Sequence, residues 1–262
     1  MLMKKHLLVM LAALSAFSAD IQADKGFTML EESAKGVAVS AGGQYVVGIN
    51  SSGDSWSGNI FMTSFVYDVS GGAMQWLTRN DNADQTKGGE FSGVADNGVI
   101  CGTSKDVGNL FDGEPINSAA VWTKDGVRTL LGYGDFDMSK ITRSIDGSSA
   151  NAISADGKTV AGEFSTGNGA YLTPCMWTQN ADGSWQLSWL PMPEGAKGGQ
   201  TKAVSADGSV IGGYVRLSDN SKYPALCEAR RRGGAIPGDY GTDQEGSGGD
   251  FRPSFRTPAR TG

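Results

Sequence analysis

A hairpin-like stretch that recurs four times is the feature that most constrains this sequence. Its clearest copy is Asn151-Ala-Ile-Ser-Ala-Asp-Gly-Lys-Thr-Val-Ala-Gly162, in which apolar and polar residues alternate on both sides of Asp156-Gly157. Asp-Gly favours a tight turn because both residues tolerate positive φ. The stretch therefore predicts a β-hairpin.

The other three copies align with it on an alanine that lies seven residues before a glycine. These alanines are Ala41, Ala95, Ala155 and Ala206, spaced 54, 60 and 51 residues apart. Two further short apolar runs follow each of the first three hairpins, which makes four strands per repeat. A four-stranded sheet cannot bury both faces alone, so repeated sheets stack, as propeller blades do. We expect an all-β, β-propeller-like array with about three complete units and a partial fourth.

Composition supports a turn-rich exported protein. The 262 residues include 39 glycines, which suits many turns between short strands. A net charge of −6 speaks against a nucleic-acid surface, which needs clustered Lys and Arg. Lys4 and Lys5 precede an apolar run from Leu7 to Phe17, typical of a secretory signal peptide and too short to cross a bilayer. Residues 1–23 are predicted to be cleaved, leaving no membrane span and placing the protein in the periplasm, at the cell surface or outside the cell.

The C-terminal part departs from the repeat. An aromatic residue is expected where Cys227 stands, and residues 227–262 contain six arginines and no lysine. We expect a repeat domain over residues 24–226 and a disordered tail over residues 227–262. The tail is either an out-of-frame or truncated ending or a natural flexible basic segment. Phe27-Thr-Met-Leu30 looks like a last strand that could pair with the final unit and close a ring.

The three cysteines do not form a disulfide framework. Cys101 and Cys175 each lie inside an apolar run, which favours buried free thiols, although one bridge among the three cysteines could form in an oxidising compartment.

The repeats resemble the HAF-type extracellular repeats of bacterial exported proteins. The best match is Ser118-Ala-Ala-Val-Trp-Thr-Lys-Asp-Gly-Val-Arg-Thr-Leu-Leu-Gly132, and the resemblance covers about residues 27–226. It implies an exported, propeller-like repeat protein whose activity is generally unassigned. Ser118-Ala119-Ala120 stands where the family has His-Ala-Phe, so no role for that histidine carries over. Ser154-Ala-Asp-Gly-Lys-Thr159 also looks like an Asp-box hairpin, which is a structural turn and does not imply sialidase activity.

The residue types present limit the catalytic and metal sites that this chain could form. The only histidine, His6, lies in the predicted signal peptide, so the mature chain has neither a Ser-His-Asp triad nor a His-ligated zinc site. Paired carboxylates about 5 to 9.5 Å apart are what remains for an enzyme. We expect a non-catalytic module that binds a surface glycan or a protein; the alternative is a carbohydrate-active enzyme of propeller fold. The sequence leaves the oligomeric state open.

Candidate binding residues lie on the long connections at one end of the sheets. In a meander, the turn between the first and second strands and the turn between the third and fourth strands lie at the same end of the sheet. In this sequence these turns are short and are formed by Asp-Gly. The other end carries the longer loops, predicted over residues 51–59, 79–90, 104–117, 132–150, 167–172 and 191–202, and function usually lies on such loops. The predicted ligand-binding residues are Trp56, Asp81, Asp84, Asp112, Tyr133, Asp135 and Asp137. The alternative is a set of solvated polar loops.

Calcium is the one metal for which the sequence offers candidate ligands. Asp81-Asn-Ala-Asp84 and Asp135-Phe-Asp137 offer oxygen ligands, but neither matches the twelve-residue calcium loop with its terminal Glu. No cofactor is expected.

Overall fold

The structure is a computed structural model that describes residues 30, 34–52, 61–78, 89–108, 115–132, 145–166, 171–229 and 251–253. The chain divides into Met1–Glu32 and Ser33–Gly262. Of the first part only Leu30 is described, so the predicted signal peptide and most of the predicted strand at 27–30 lie outside the described residues. Among the described residues, no helix is long and apolar enough to cross a membrane.

The described part of Ser33–Gly262 is all-β, as predicted, and its strands fall into four successive units. Unit 1 comprises β1 (Lys35–Val39), β2 (Tyr45–Ser52), β3 (Phe61–Asp68) and β4 (Ala73–Thr78). Unit 2 comprises β5 (Glu90–Val94), β6 (Ile100–Gly108), β7 (Pro115–Trp122) and β8 (Arg128–Leu130). Unit 3 comprises β9 (Ile145–Ile153), β10 (Thr159–Thr166), β11 (Tyr171–Gln179) and β12 (Trp185–Trp189). Unit 4 comprises β13 (Ala196–Val204), β14 (Val210–Leu217), β15 (Lys222–Ala229) and β16 (Phe251–Pro253).

Each unit is an antiparallel meander in which sequential strands are neighbours. Units 2 and 3 are also joined by one short parallel pairing, between Asn117 of β7 and Gly147 of β9. The result is a β-propeller-like array in which the described strands form four four-stranded units, and the outer strands of units 2 and 4 each have three residues. The predicted fold class is confirmed.

We call the hairpin between the first and second strands of each unit its inner hairpin. The turn of this hairpin in unit 3 differs from the turn with two residues at positive φ that Asp156-Gly157 predicts. Gly157 has a φ of 75°, and its N–H donates to the Ser154 carbonyl at 3.0 Å, whereas Asp156 is not at positive φ. The turn is therefore a type I turn completed by a left-handed glycine. Asp156 contributes through its side chain, which accepts hydrogen bonds from the Ser154 hydroxyl at 2.6 Å and the Lys158 N–H at 3.0 Å.

The inner turn of unit 2 is one residue shorter than the others. Ala95 N–H bonds to Val99 O, four residues on, whereas Ser154 N–H bonds to Thr159 O, five residues on. Ala95 therefore takes the place of Ser154, and Asp96 takes the place of Ala155. The alignment of Ala95 with the other three alanines is wrong at the structural level because the shortened turn shifts the strand register by one.

Apolar cores lie between successive units. We call the side of a sheet that packs on the preceding unit its near face and the opposite side its far face. Near-face Trp122 packs with Val47 and Val66 of unit 1, and near-face Trp177 packs with Cys101 and Val121 of unit 2. Between units 3 and 4 the core consists of Ala161, Met176, Leu190, Ile211 and Cys227.

Several strands extend beyond their predicted limits. β9 begins at Ile145 and β13 at Ala196, so residues predicted as loop at 145–150 and 196–202 belong to strands. These segments are rich in Gly and polar residues and lack a clear apolar alternation, but the ladder to the next strand holds them. The predicted boundary at Leu226 also falls inside β15, in which Cys227 pairs with Ile211 and Glu228 with Val210.

All three cysteines are unpaired and buried, which confirms the prediction for Cys101 and Cys175.

Candidate functional site

The predicted ligand-binding residues are not among those that the structure describes. Trp56, Asp81, Asp84, Asp112, Tyr133, Asp135 and Asp137 all lie outside the described residues, as do both segments considered for calcium. The predicted site stays a prediction. The described connections at the same end are tight: Ala196 N–H donates to the Pro193 carbonyl at 3.1 Å, and Asn220 has a φ of 66° in the β14–β15 turn.

At the opposite end, the inner turns of successive units are hydrogen-bonded to one another. The Gly42 N–H of unit 1 donates to the Asp96 carboxylate of unit 2 at 2.6 Å. Asp96 N–H then donates to Ala155 O, and Ala155 N–H to Ala206 O, each at 2.9 Å. This chain of hydrogen bonds runs through all four units and fixes their order and spacing at this end.

A shallow concavity of about 620 Å³ lies over these turns, lined by Asp96, Asn97, Asp156 and Asp207. The Asp156 and Asp207 carboxylates bond within their own turns, and the Asp207 oxygen accepts from the Ser205 and Ser209 hydroxyls, each at 2.7 Å. The Asp96 carboxylate instead bonds to the turn of unit 1. In the described part of the chain, no three or more His, Cys, Asp or Glu side chains are grouped as a metal ion would require. The geometry here is that of turns stabilised by side chains.

Other exposed turns show the same local use of carboxylates. Asp182 accepts hydrogen bonds from Ser184, and Asp219 accepts them from Ser221. The bond from the serine hydroxyl, and to a smaller extent the bond from its backbone N–H, holds the pKa of each carboxyl below the usual range. The Ser70 hydroxyl and the Gly71 N–H lower the pKa of Asp68 in the same way. A lowered pKa keeps these groups ionised at neutral pH, so they are poor general acids.

The most unusual titratable group is Glu163, which is only 5% exposed between units 3 and 4. β10 directs its side chain from the far face of unit 3 toward β13. One carboxylate oxygen accepts from Asn151 Nδ2 at 2.5 Å and the other from Gln200 Nε2 at 2.7 Å. Asn151 Nδ2 also reaches the Thr201 carbonyl at 3.0 Å. We call Asn151, Glu163, Gln200 and Thr201 the inter-unit polar cluster.

Burial dominates the electrostatics of this cluster. It raises the pKa of Glu163, and the hydrogen bonds from Gln200 and Asn151 and the charge of Lys202 offset only part of that effect. A buried acid with a raised pKa is a recognised sign of a functional site, but it also occurs in structural networks. Here the carboxylate oxygens bond to amides that bridge two sheets, which favours the structural role.

A small apolar cavity of about 40 Å³ adjoins the cluster. Its lining includes Leu190, Gln200, Ile211, Tyr214 and Cys227. Ligand pockets are typically about 300 to 1,000 Å³, so this space is too small for a sugar ring. It marks the position where units 2 and 3 place a tryptophan.

The thiols offer no nucleophile. Burial raises the pKa of Cys101 to about 12 and that of Cys227 to about 11, and it raises the pKa of Cys175 well above the ordinary value. Since the thiolate is the reactive species, these groups are inert near neutral pH.

The inter-unit polar cluster was not foreseen from the sequence. Its members lie on three strands, and Glu163 is separated by 12 residues from Asn151 and by 37 from Gln200. One signal was present: Glu163 directly follows Gly162, at a position where the other units carry Ile49, Thr103 and Tyr214. A lone charge at that point of a strand indicates a partner in the neighbouring sheet.

Comparison with known proteins adds distant likenesses only. No family model matches the chain, and no curated protein matches it. The putative TolB from Agrobacterium tumefaciens is 14% identical, with a TM-score of 0.45, covering 72% of this chain and 59% of that one. The tricorn protease is 12% identical, with a TM-score of 0.42, covering 80% of this chain and 20% of that one.

The periplasmic gluconolactonase of Pseudomonas aeruginosa is 15% identical, with a TM-score of 0.32, covering 83% of this chain and 70% of that one. The chain thus spans less than two thirds of the first two of these proteins. All three likenesses are too distant to bear on the activity of this chain.

Proposed function

We propose that this chain is an exported, non-catalytic binding protein whose β-propeller-like scaffold presents variable loops to a glycan or protein ligand at the cell surface or in the periplasm. The observation that carries the proposal is how the described reactive groups are used. The turn aspartates bond within their own turns or, in the case of Asp96, to the turn of the neighbouring unit. The thiols are buried, and Glu163 accepts hydrogen bonds from two amides. Each of these groups stabilises the scaffold.

The difference between the hydrogen-bonded turns at one end of the sheets and the long loops at the other end supports the same proposal. One end is fixed by hydrogen bonds between the turns of neighbouring units, which is what a rigid support for loops at the other end requires. The lysine-flanked apolar N-terminus supports export, and the repeat pattern supports assignment to the HAF-type exported repeats.

The rival function is a carbohydrate-active enzyme, and one observation favours it. Glu163 has the raised pKa that a general acid needs. However, both of its carboxylate oxygens accept hydrogen bonds from the amides of Asn151 and Gln200, whereas a glycosidase needs a second carboxylate across the substrate.

A glycan array probed with the full chain tests the proposal. We expect Trp56→Ala and Tyr133→Ala to reduce retention of the bound glycan, whereas Asp182→Asn, an exposed turn residue at the opposite end, leaves it unchanged. Equal retention by all variants would contradict the assignment of the loop-rich end as the binding face.

A screen of chromogenic glycosides tests whether the chain is instead a carbohydrate-active enzyme. We expect no turnover by the wild-type chain. Turnover that disappears in Glu163→Gln would replace the proposal with the enzymatic alternative.

A further inference from the structure

The inter-unit polar cluster continues toward the surface through Tyr214. The Tyr214 hydroxyl donates to Gln200 Oε1 at 3.2 Å, and Gln200 Nε2 donates to Glu163 Oε1 at 2.7 Å. Glu163 is buried, whereas Tyr214 is half-buried, and the centre of its ring lies 4.7 Å from Nζ of the exposed Lys222. A chain of hydrogen bonds therefore runs from the surface of unit 4 to a buried acid of unit 3, and both donors in it point toward Glu163.

The two oxygens of Glu163 differ in how freely their partners can turn. Asn151 Nδ2 donates to Oε2 and also to the Thr201 carbonyl at 3.0 Å, so turning this amide over would place its oxygen against that carbonyl. Turning the Gln200 amide over only exchanges its donor and acceptor between Glu163 and Tyr214, and a hydroxyl can serve as either. A proton bound to Glu163 should therefore reside on Oε1, the oxygen that faces Gln200.

The other titratable groups around Glu163 keep one charge state below pH 7. In the described chain they are Cys175 on β11, Lys202 on β13 and Tyr214 on β14, whereas β9 contributes the neutral Asn151. Burial holds the pKa of the Cys175 thiol well above its ordinary value. Lysine side chains are cations and phenols are neutral below pH 7. Glu163 is therefore the member of this set that changes its charge in acid.

We propose that Glu163, Gln200 and Tyr214 form a pH-sensitive switch in the junction between units 3 and 4. When Glu163 binds a proton, its O–H donates to Gln200 Oε1 after the amide turns over. Gln200 Nε2 then donates to the Tyr214 oxygen, and the Tyr214 O–H turns toward solvent. Proton uptake thus reverses the chain, keeps its hydrogen bonds and removes a buried charge, so it tightens the junction.

Acid strengthens this junction, and a higher pH weakens it. Burial raises the pKa of Glu163 above its ordinary value of 4.5. The contribution of Glu163 is therefore fully present below pH 4.5 and is lost as the pH rises through the raised pKa of the folded state. The switch lies in the scaffold and is independent of the identity of the proposed ligand.

NMR spectroscopy of the full chain tests the reversal. The ¹³C signal of the Glu163 carboxyl gives its titration midpoint, which we expect above pH 4.5. The side-chain amide of Gln200 and the ¹³Cζ signal of Tyr214 should shift with the same midpoint, because both groups exchange donor and acceptor roles. Tyr223 is the matched control: it lies on β15 and is 51% exposed, so its ¹³Cζ signal should not follow Glu163.

Two variants separate the switch from a general effect of pH. Glu163→Gln should abolish the shifts at Gln200 and Tyr214. Gln200→Met keeps a side chain of similar length that cannot relay, so Glu163 should still titrate while Tyr214 no longer responds. A Tyr214 signal that does not move with pH in the wild type, or that moves alike in Glu163→Gln, would overturn the proposal. The wild-type midpoints decide the question even if a variant fails to fold.

Hydrogen exchange measures the effect on the junction itself. After correction for the intrinsic pH dependence of exchange, protection of β14 and β15 should rise between about pH 7 and about pH 4.5, relative to β6 and β7 of unit 2. The rise should be about tenfold for each unit by which the Glu163 midpoint exceeds 4.5. Glu163→Gln should remove it. An equal pH response in units 2 and 4, or the same rise in Glu163→Gln, would show that the cluster does not control the junction.

Discussion

The junction between units 2 and 3 and the junction between units 3 and 4 share a backbone arrangement but are filled by different chemistry. In the first, Trp177 is fully buried, its Nε1–H donates to the Gly132 carbonyl at 3.0 Å, and its ring packs on Phe164. In the second, Cys227 occupies the equivalent position beside a small cavity, and Glu163 bridges the sheets through amides. Successive units of this repeat can therefore be joined either through a buried aromatic ring or through a buried polar cluster.

The comparison also shows that the aromatic position is optional for the fold, and we expect it to affect how tightly a unit is held. An aromatic ring buries a large apolar area in one place. The polar cluster offers hydrogen bonds whose net contribution is smaller, because burial of Glu163 opposes them. We therefore expect unit 4 to be the weakest part of the array.

The largest expected effect comes from removing the aromatic side chain. Trp177→Ala should lower the free energy of unfolding by about 3 to 5 kcal/mol, since it leaves a cavity in the core between units 2 and 3. Cys227→Ala, at the same position of unit 4, should cost about 1 kcal/mol or less because the site is already loosely filled. Denaturant unfolding of both variants measures the difference. Equal losses would mean that the two junctions contribute alike.

A second comparison uses two strand glycines. A Cβ at Gly162 would overlap the Ser149 carbonyl oxygen and lie 2.7 Å from the Trp177 ring, whereas a Cβ at Gly212 would enter open space. Gly162→Ala should therefore cost about 1 to 3 kcal/mol by overpacking. Gly212→Ala should be neutral or stabilising by up to about 1 kcal/mol.

Thermal unfolding compares these two variants. A neutral Gly162→Ala would show that the ring does not lie against that strand.

The third comparison concerns Glu163 itself. Glu163→Ala should cost about 1 to 3 kcal/mol, because the amides of Asn151 and Gln200 lose their buried acceptor. Glu163→Gln should be tolerated near neutral pH, since Gln200 can turn its amide over and Tyr214 can reverse its hydrogen bond. Denaturant unfolding at pH 7 separates the two variants, and equal losses would contradict the bridging role.

The pH dependence sharpens this point. The pKa of Glu163 is raised above its ordinary value of 4.5, so the folded state binds the proton more tightly than the unfolded state. This group should therefore stabilise the fold as the pH falls toward 4.5, and Glu163→Gln should abolish the gain. Asp182 and Asp219 act oppositely: their pKa values are lowered from 3.8, so their contribution is lost as the pH falls below that value. An unchanged pH profile in Glu163→Gln would assign the gain to other groups.

The hairpins were predictable because their signals are local. Asp156-Gly157 and the alternation around it lie within one short stretch, and the strands follow from it. The segments at 145–150 and 196–202 were missed because their strand character comes from pairing with β10 and β14 and not from their own composition. The shorter turn at Ala95 was missed because one deleted residue leaves the surrounding pattern intact.

The inter-unit polar cluster was beyond sequence reasoning for a similar reason. Its geometry depends on how two sheets stack, which no local pattern specifies. The predicted loop residues at the other end, such as Trp56 and Tyr133, stay a prediction because the structure does not describe them.

Hydrogen exchange of the full chain, followed strand by strand, tests the contrast between the two junctions most directly. β10 and β14 are matched, since each is the second strand of its unit and is paired on both sides. We expect the amides of β10 and β11, beside Trp177, to exchange markedly more slowly than those of β14 and β15, beside Cys227. Equal protection of the two pairs of strands, or faster exchange in β10, would contradict the conclusion that the aromatic position determines how firmly each unit is held.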